Sequence, residues 1–258
     1  MKITILGSGT SVGVPQIGCT CKVCTSSDPR DKRLRCSGLV ETNGVRVLID
    51  CGPDFREQML RLNDFRPIDG VLVTHEHYDH VGGLDDLRPF CSFREIPVCA
   101  EDYVADRLQS RMPYCFVKHP YPGIPHIPLT RLRAGESFAL SNSEGRRVEI
   151  MPFRVLHGQL PILGYRIGQM AWITDMLTLP EESYSYLQGL DCLIMNALRF
   201  EKHWTHQSLS EALEKAKRIG ARETYFIHMS HDIGLHAETS ALLPDHIHLA
   251  YDGMEIML

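Results

Sequence analysis

Thr74-His75-Glu76-His77-Tyr78-Asp79-His80 follows directly on Gly70-Val71-Leu72-Val73, a short apolar run. The run predicts a buried strand over residues 70–74, and the ends of such strands are where α/β proteins gather functional groups. Imidazole nitrogens and carboxylate oxygens are the ligands that borderline divalent metals prefer. His75 and His77, two apart in an extended or turning chain, can face the same way and grip one ion. Asp79 and His80 continue into the next turn and can reach a second ion a few ångströms away.

Outward from this stretch, residues 45–51 predict another buried strand, ending at Asp50. Residues 54–62 place Phe55, Met59, Leu60 and Leu62 at helical spacing. Strands are expected over 2–6, 98–100, 148–156, 165–173, 192–196, 224–227 and 248–256, with a helix over 101–111. The clearest helix is 208–219, where Ser208 and Glu211 fit a capping box and Gly220 stands at the C-terminal cap. Strands and helices intermix from end to end without a linker or repeat, which predicts one α/β domain over 1–258. Residues 113–131 hold Pro113, Pro120, Pro122, Pro125 and Pro128, so regular structure is disfavoured there. Either a surface loop or a semi-rigid lid beside the site fits that composition.

Gly7-Ser8-Gly9-Thr10-Ser11-Val12-Gly13 follows the first strand as a dinucleotide-binding turn would. Its spacing is one residue too long for that fingerprint, Pro15 and Gly18 interrupt the helix that would have to follow, and no Lys-Ser/Thr pair makes a P-loop. A tight turn whose glycines allow close backbone approach is the expected role.

The formal charge of -5 argues against an extended basic footprint for DNA or long RNA, but not against a small phosphorylated substrate. No apolar run approaches the roughly 18–20 residues that span a bilayer, and Gly7 cuts short any secretory core, so a cytoplasmic location is expected. Nine cysteines are present, three of them in Cys19-Thr20-Cys21-Lys22-Val23-Cys24. In such a chain this reads as metal binding plus buried thiols. A closed structural zinc site wants four ligands, and the expected fourth is His231, with Cys36 as the fallback.

The Thr74–His80 stretch resembles the His-x-His-x-Asp-His motif of the metallo-β-lactamase superfamily. The resemblance implies a four-layer αββα sandwich with a two-metal site at one edge. It further implies that Asp50, in Leu48-Ile49-Asp50-Cys51-Gly52, orients a ligating imidazole, as metal-bound histidines usually require. By the same resemblance His157 completes the first metal's set with His75, His77 and Asp175, the carboxylate that bridges both metals. The second metal takes Asp79, His80, Asp175 and His228. Manganese and zinc both suit these donors. Two divalent ions about 3.5–4 Å apart acidify a shared water toward a pKa of about 7 and clamp both oxygens of an in-line displacement, which suits a phosphodiester.

Gly18-Cys19-Thr20-Cys21, Arg35-Cys36-Ser37-Gly38, His228-Met229-Ser230-His231 and Tyr251-Asp252-Gly253-Met254-Glu255 resemble the cyclic-phosphodiesterase branch associated with phosphonate breakdown. In that branch the cysteine cluster and the late histidine hold a structural zinc, which implies Cys19, Cys21, Cys24 and His231 here. The branch also has a histidine assisting the leaving group, and His206 in Trp204-Thr205-His206 resembles it. The implied activity is hydrolysis of a small phosphodiester, cyclic ones included, with a homodimer as the family's expectation. Asn196-Ala197-Leu198-Arg199 departs from the phosphonate-pathway enzyme, and Arg199 is either an anion contact or a surface ion pair. Rivals on the same fold are tRNA 3′-end nucleases, lactonases or thioester hydrolases, and a non-catalytic carrier. The nucleases carry an extra arm and a basic surface not visible here. Lactonases usually lack the cysteine cluster, and carriers tend to lose ligands that this chain keeps.

Overall fold

Mostly apolar runs such as 45–49, 170–173 and 192–196 bury both faces of a strand, and the computed structural model, which describes residues 1–117 and 123–258, shows where each face goes. The strands are β1 (Lys2–Gly7), β2 (Ser37–Thr42), β3 (Val45–Ile49), β4 (Gly70–Leu72), β5 (Val98–Glu101), β6 (Leu129–Leu132), β7 (Phe138–Ser141), β8 (Arg147–His157), β9 (Leu160–Ile167), β10 (Met170–Ile173), β11 (Cys192–Asn196), β12 (Glu223–Ile227), β13 (Ile247–Leu249) and β14 (Glu255–Met257). One sheet runs β14-β1-β2-β3-β4-β5-β6 and the other β13-β12-β11-β10-β9-β8-β7. Each sheet is antiparallel in one half and parallel in the other: β3 to β6 are parallel, and so are β10 to β13.

The two sheets pack face to face. Val45, Val47 and Ile49 of β3 meet Met170 and Trp172 of β10 and Cys192 and Ile194 of β11 in one buried cluster. Residues of opposite parity point away. Ala171, Ile173, Leu193 and Met195 pack with Leu209, Ala212, Ala216 and Ile219 of helix α4 (Leu209–Ile219). On the far side of the first sheet, Leu48 packs with Phe55 and Met59 of α1 (Phe55–Leu62) and with Val104 and Leu108 of α3 (Asp102–Arg111). The short helices α2 (Tyr78–Val81) and α5 (His236–Ser240) complete the set. Helix, sheet, sheet and helix make the expected αββα sandwich. No helix among the described residues is long and apolar enough to cross a membrane.

The capping box of Ser208 and Glu211 is present, and Gly220 ends α4 in the left-handed conformation. Two expected strands divide. The alternating stretch 165–173 turns at Gly168 into antiparallel β9 and β10. The stretch 248–256 is split between β13 of one sheet and β14 of the other, because Asp252 stops between them and binds Ser8 and the Leu34 N–H. Strands β2, β6 and β7 have no counterpart in the sequence reading. In the proline-rich stretch, residues 113–116 form a 3-10 turn and β6 begins at Leu129. The lid suggested for 113–131 falls partly on residues 118–122, outside the described residues.

The glycine-rich start works as a close-approach loop. A side chain at Gly7 would meet the Arg35 carbonyl at 2.0 Å, and one at Gly9 the Arg33 carbonyl at 2.7 Å. The freed backbone pairs with Met229 beside His228, Thr10 N–H donating to the Met229 carbonyl and Met229 N–H to that of Ser8. In the core, Trp172 lies across Gly38 of β2, where a Cβ would sit 2.4 Å from the indole. Both groups are fixed in strands, so Gly38→Ala is expected to cost about 1–3 kcal/mol by overpacking. Its urea midpoint will fall, and an unchanged midpoint would show that the sheets slide to make room.

Candidate metal centre

The site is built at the C-terminal ends of parallel strands. Asp50 follows β3, His75 follows β4, Asp175 follows β10 and His228 follows β12. Asp50, Asp175 and His228 all have positive φ, at 57°, 53° and 55°. This left-handed turn is uncommon for residues with a side chain, and such strain gathers at functional sites. It turns the chain sharply as each strand ends. Asp175 is steadied by buried Asn196, whose side chain accepts from the Met176 N–H at 2.8 Å and donates to the Met176 carbonyl at 3.0 Å.

Two groups of potential ligand atoms form there, each within 4.8 Å of one another: His75, His77, His157 and Asp175; and Asp79, His80, Asp175 and His228. Asp175 faces both. Its Oδ1 lies 3.2 Å from Nε2 of both His80 and His228, and its Oδ2 lies 3.9 Å from Nε2 of His75. In the first group His75 Nε2 and His77 Nδ1 are 3.0 Å apart. In the second, Asp79 Oδ2 is 3.1 Å from His80 Nε2 and 3.6 Å from His228 Nε2. His75, His80 and His228 are fully buried, while His77 is exposed, so the cluster opens to solvent on one side.

Partners behind the imidazoles decide which nitrogen faces inward. His80 Nδ1 donates to Asp50 Oδ2 at 2.7 Å, leaving Nε2 with its lone pair toward the cluster. Asp50 is itself held by the N–H and hydroxyl of Thr74 at 2.8 Å each. His157 Nδ1 donates to the Thr205 carbonyl at 2.9 Å, which likewise frees Nε2. Tyr165 donates to the Val73 carbonyl at 2.6 Å and ties the second sheet to the end of β4. Gly52 brings the Asp50 turn against the motif, since a Cβ there would lie 2.0 Å from the Asp79 carbonyl.

A divalent ion fits this donor set on the structure's own evidence. The Nε2 atoms of His80 and His228 are buried and make no hydrogen bond, although carboxylate oxygens stand close by. Nitrogen and oxygen therefore face a common gap without bonding across it. The electrostatics agree. Burial opposes the charged form of Asp175, yet His228 and His80 hold its carboxyl well below the usual range. Burial likewise opposes protonation of His80, but Asp175, Asp79 and Asp50 hold it well above its ordinary value. Carboxylates around one imidazole make a pocket that favours a positive charge at its centre.

His206 lies beside both groups without joining either. Its ring is 4.5 Å from that of His157 and 5.0 Å from that of His228, and its buried, unpartnered Nδ1 is 3.8 Å from Asp175 Oδ2. Burial pulls its pKa down to about 3, against the opposing pull of Asp175, so the ring is neutral at pH 7. Arg199 is a loop tether: it donates to the carbonyls of Glu201 and Lys202 and lies 3.9 Å from Asp232.

A separate group joins Cys19, Cys21, Cys24 and His231. His231 Nδ1 lies 3.3 Å from the Cys21 sulfur and 3.8 Å from that of Cys19. Backbone N–H groups of Gln16 and Cys24 point at the sulfurs of Cys24 and Cys21. The bond from Cys24 N–H leads the effects that lower the Cys21 thiol to about 6, while burial lifts Cys24 to about 11. Cys36 is elsewhere, buried between the sheets beside the Thr174 hydroxyl, and is no fourth ligand. Thr74, Asn196, Thr205 and His203 contribute to the site and went unread, because nothing in their local sequence distinguishes them from ordinary strand-end and loop residues.

A family model described as a beta-lactamase superfamily domain matches residues 45–229. An octanoyltransferase of Porphyromonas gingivalis is 46% identical over 260 residues, covering 100% of this chain but 52% of that protein. The coenzyme PQQ synthesis protein B of Methylobacterium nodulans is 36% identical over 107 residues, 36% of each chain. The chain thus spans about half the length of the first and matches about a third of the second. Among solved structures, a diphosphatase from the PhnP family superposes with a TM-score of 0.88 at 40% identity, covering 99% of this chain and 96% of that one. Zn(2+)-bound PqqB from Methylobacterium extorquens gives 0.80 at 20% identity, covering 100% of both. Human tRNase Z, short form, gives 0.72 at 19%, covering 100% and 99%. The last two share the fold.

Proposed function

The chain belongs to the beta-lactamase superfamily, and from that membership we propose that it is a metal-dependent hydrolase of small phosphodiesters, diphosphate-linked ones included. The observation that carries this reading is Asp175, with one carboxylate oxygen toward each group of ligand atoms. The 40% identity to a diphosphatase over nearly all of both chains supports the substrate class. His75, His77, His157 and Asp175 would hold one divalent ion, and Asp79, His80, Asp175 and His228 the other, manganese or zinc. Such ions supply an acidified water and neutralise phosphoryl charge. The protein's own groups do the rest. Asp50 and the Thr205 carbonyl fix the tautomers of His80 and His157. His206, neutral and beside Asp175, donates to a phosphoryl or leaving-group oxygen. Cys19, Cys21, Cys24 and His231 hold a structural zinc that keeps the N-terminal loop against the segment after His228. The expected substrate is a small molecule and not a long nucleic acid, and the protein works as one domain, paired as a homodimer.

The test is elemental analysis of the purified protein together with hydrolysis of bis-p-nitrophenyl phosphate with and without added Mn²⁺. About three ions per chain and Mn²⁺-stimulated release of nitrophenol are expected. A single tight zinc and no hydrolysis under any metal would sink the reading. His206→Ala is expected to lower kcat by about 10²-fold or more, the usual scale for a hydrogen-bond donor aimed at the charge that develops in the transition state. An unchanged kcat would remove His206 from the chemistry.

The identity to the octanoyltransferase favours a second reading, hydrolysis of an acyl ester or thioester. About half of that relative has no counterpart in this chain, so the octanoyl transfer its name describes is an activity of the longer protein. Octanoyl thioester cleaved faster than the phosphodiester, at equal metal loading, would select this reading.

A further inference from the structure

We infer that the loop between β11 and α4 carries a subsite for a flat aromatic group of the substrate, with Trp204 as its stacking face and His203 as its hydrogen-bond donor. The inference rests on the phosphoester reading for the chemistry, but the binding it describes can be measured without turnover.

The chain has two tryptophans, and they are placed in opposite ways. Trp172 is completely buried between the sheets, whereas Trp204 is 92% exposed. An indole left in water forfeits the large apolar burial that such a side chain offers, and that burial is available to a flat ligand. The loop that presents it is tied down on both sides. Leu209 N–H donates to the Arg199 carbonyl at 2.7 Å, and the Arg199 guanidinium reaches the Lys202 carbonyl at 3.1 Å. The Thr205 carbonyl is held by His157 Nδ1 at 2.9 Å, and Gln207 N–H donates to the Met176 carbonyl at 2.9 Å. The backbone around Trp204 is therefore anchored to the cluster of ligand side chains, through His157 and through the turn that bears Asp175.

The neighbouring imidazoles run outward from that cluster. His206 is 9% exposed and its ring lies 5.0 Å from that of His228; His203 is half-buried and its ring lies 5.1 Å from that of His206. The N–H and hydroxyl of Thr205 both lie 3.3 Å from His203 Nδ1. A backbone N–H can only donate, so Nδ1 is the acceptor and Nε2 carries the hydrogen. His203 thus offers one fixed N–H on the residue that precedes the exposed tryptophan. A phosphoester whose phosphorus sits at the cluster would carry its organic group past His206 and His203 to Trp204. The chemical class that uses both groups is a nucleoside or aryl phosphate: its ring stacks on the indole and an oxygen between ring and phosphorus accepts from His203. Stacking of this kind is tolerant of base identity, because every base has a π-face.

The metal-loaded protein is titrated with AMP, and with ribose 5-phosphate as the ringless control, following tryptophan fluorescence and heat. Trp172 emits as a buried indole and Trp204 as a solvated one, so the two separate by wavelength and by iodide quenching. AMP is expected to quench the solvated component saturably and shield it from iodide, while ribose 5-phosphate leaves it unchanged. Trp204→Ala is expected to weaken AMP on the order of 10- to 100-fold with little effect on ribose 5-phosphate. His203→Ala is expected to weaken AMP about 5-fold, the scale of one lost neutral hydrogen bond. Equal affinity for the two ligands, unaffected by Trp204→Ala, overturns the subsite. So does a Trp204 emission that shifts with protein concentration in the absence of AMP, which would give the indole to a protein contact. If the protein binds AMP as described yet cleaves no phosphoester, the hydrolase reading fails and the subsite stands.

Discussion

Asp175→Asn is expected to lower turnover by at least about 10³-fold and to reduce the content of active-site metal, with the fold intact. Asparagine keeps the shape of the side chain and one oxygen, but loses the charge that both ligand groups share. Asp175 Oδ1 stands 3.2 Å from two imidazole nitrogens and Oδ2 stands 3.9 Å from a third, so the loss is felt on both sides. Several kcal/mol of charge stabilisation at a metal site corresponds to about three powers of ten in rate. Asparagine is also well suited to the backbone there, because φ at this position is 53° and Asn enters the left-handed region readily. A melting temperature near that of the parent protein will therefore accompany the loss. A variant that keeps two divalent ions by elemental analysis and works within tenfold of the parent rate would show that Asp175 is no bridge.

Cys21→Ser is expected to release the zinc proposed for the cysteine group and to lower the melting temperature by about 6–12 °C. Cys21 and His231 are separated by 210 residues of chain, and their atoms lie 3.3 Å apart. An ion at that point fastens the N-terminal loop to the segment that follows β12. Structural zinc binds with about 10–16 kcal/mol apparent free energy in small domains, and that energy is available to the fold. Losing even about 3 kcal/mol of it, at about 2–4 °C per kcal/mol for a chain of this size, gives the stated shift. Activity is expected to fall as well, since His228 stands three residues before His231 and next to Met229, whose backbone pairs with the glycine-rich loop. Cys91→Ser, at a half-buried thiol outside all three ligand groups, serves as the control. Unchanged zinc and an unchanged melting curve for Cys21→Ser would leave the cluster as packed thiols.

Much of this was legible because it is local. The ligand types and spacing of His75, His77, Asp79 and His80 lie within six residues just after one apolar strand, and closeness in the chain makes them neighbours. Helix α4 could be read from Ser208, Glu211 and Gly220 because caps act over three or four residues. The same local reading ran two strands together at 165–173, where alternation continues across the turn at Gly168, and again at 248–256. It passed over β2, β6 and β7, which become strands through the neighbours they pair with. It chose His231 as the fourth zinc ligand, with Cys36 as the fallback. The packing of the sheets buries Cys36 beside Thr174 and brings His231 to Cys21, a placement the sequence does not contain.

The residues and their order were thus determined by the sequence; their orientation was decided by the tertiary structure. The left-handed turns at Asp50, Asp175 and His228, the Thr205 carbonyl behind His157, and the exposed Trp204 on a tethered loop all depend on contacts between distant strands. Those contacts supply the energy that holds an unfavourable backbone angle or an exposed ring, and no short stretch of sequence contains them.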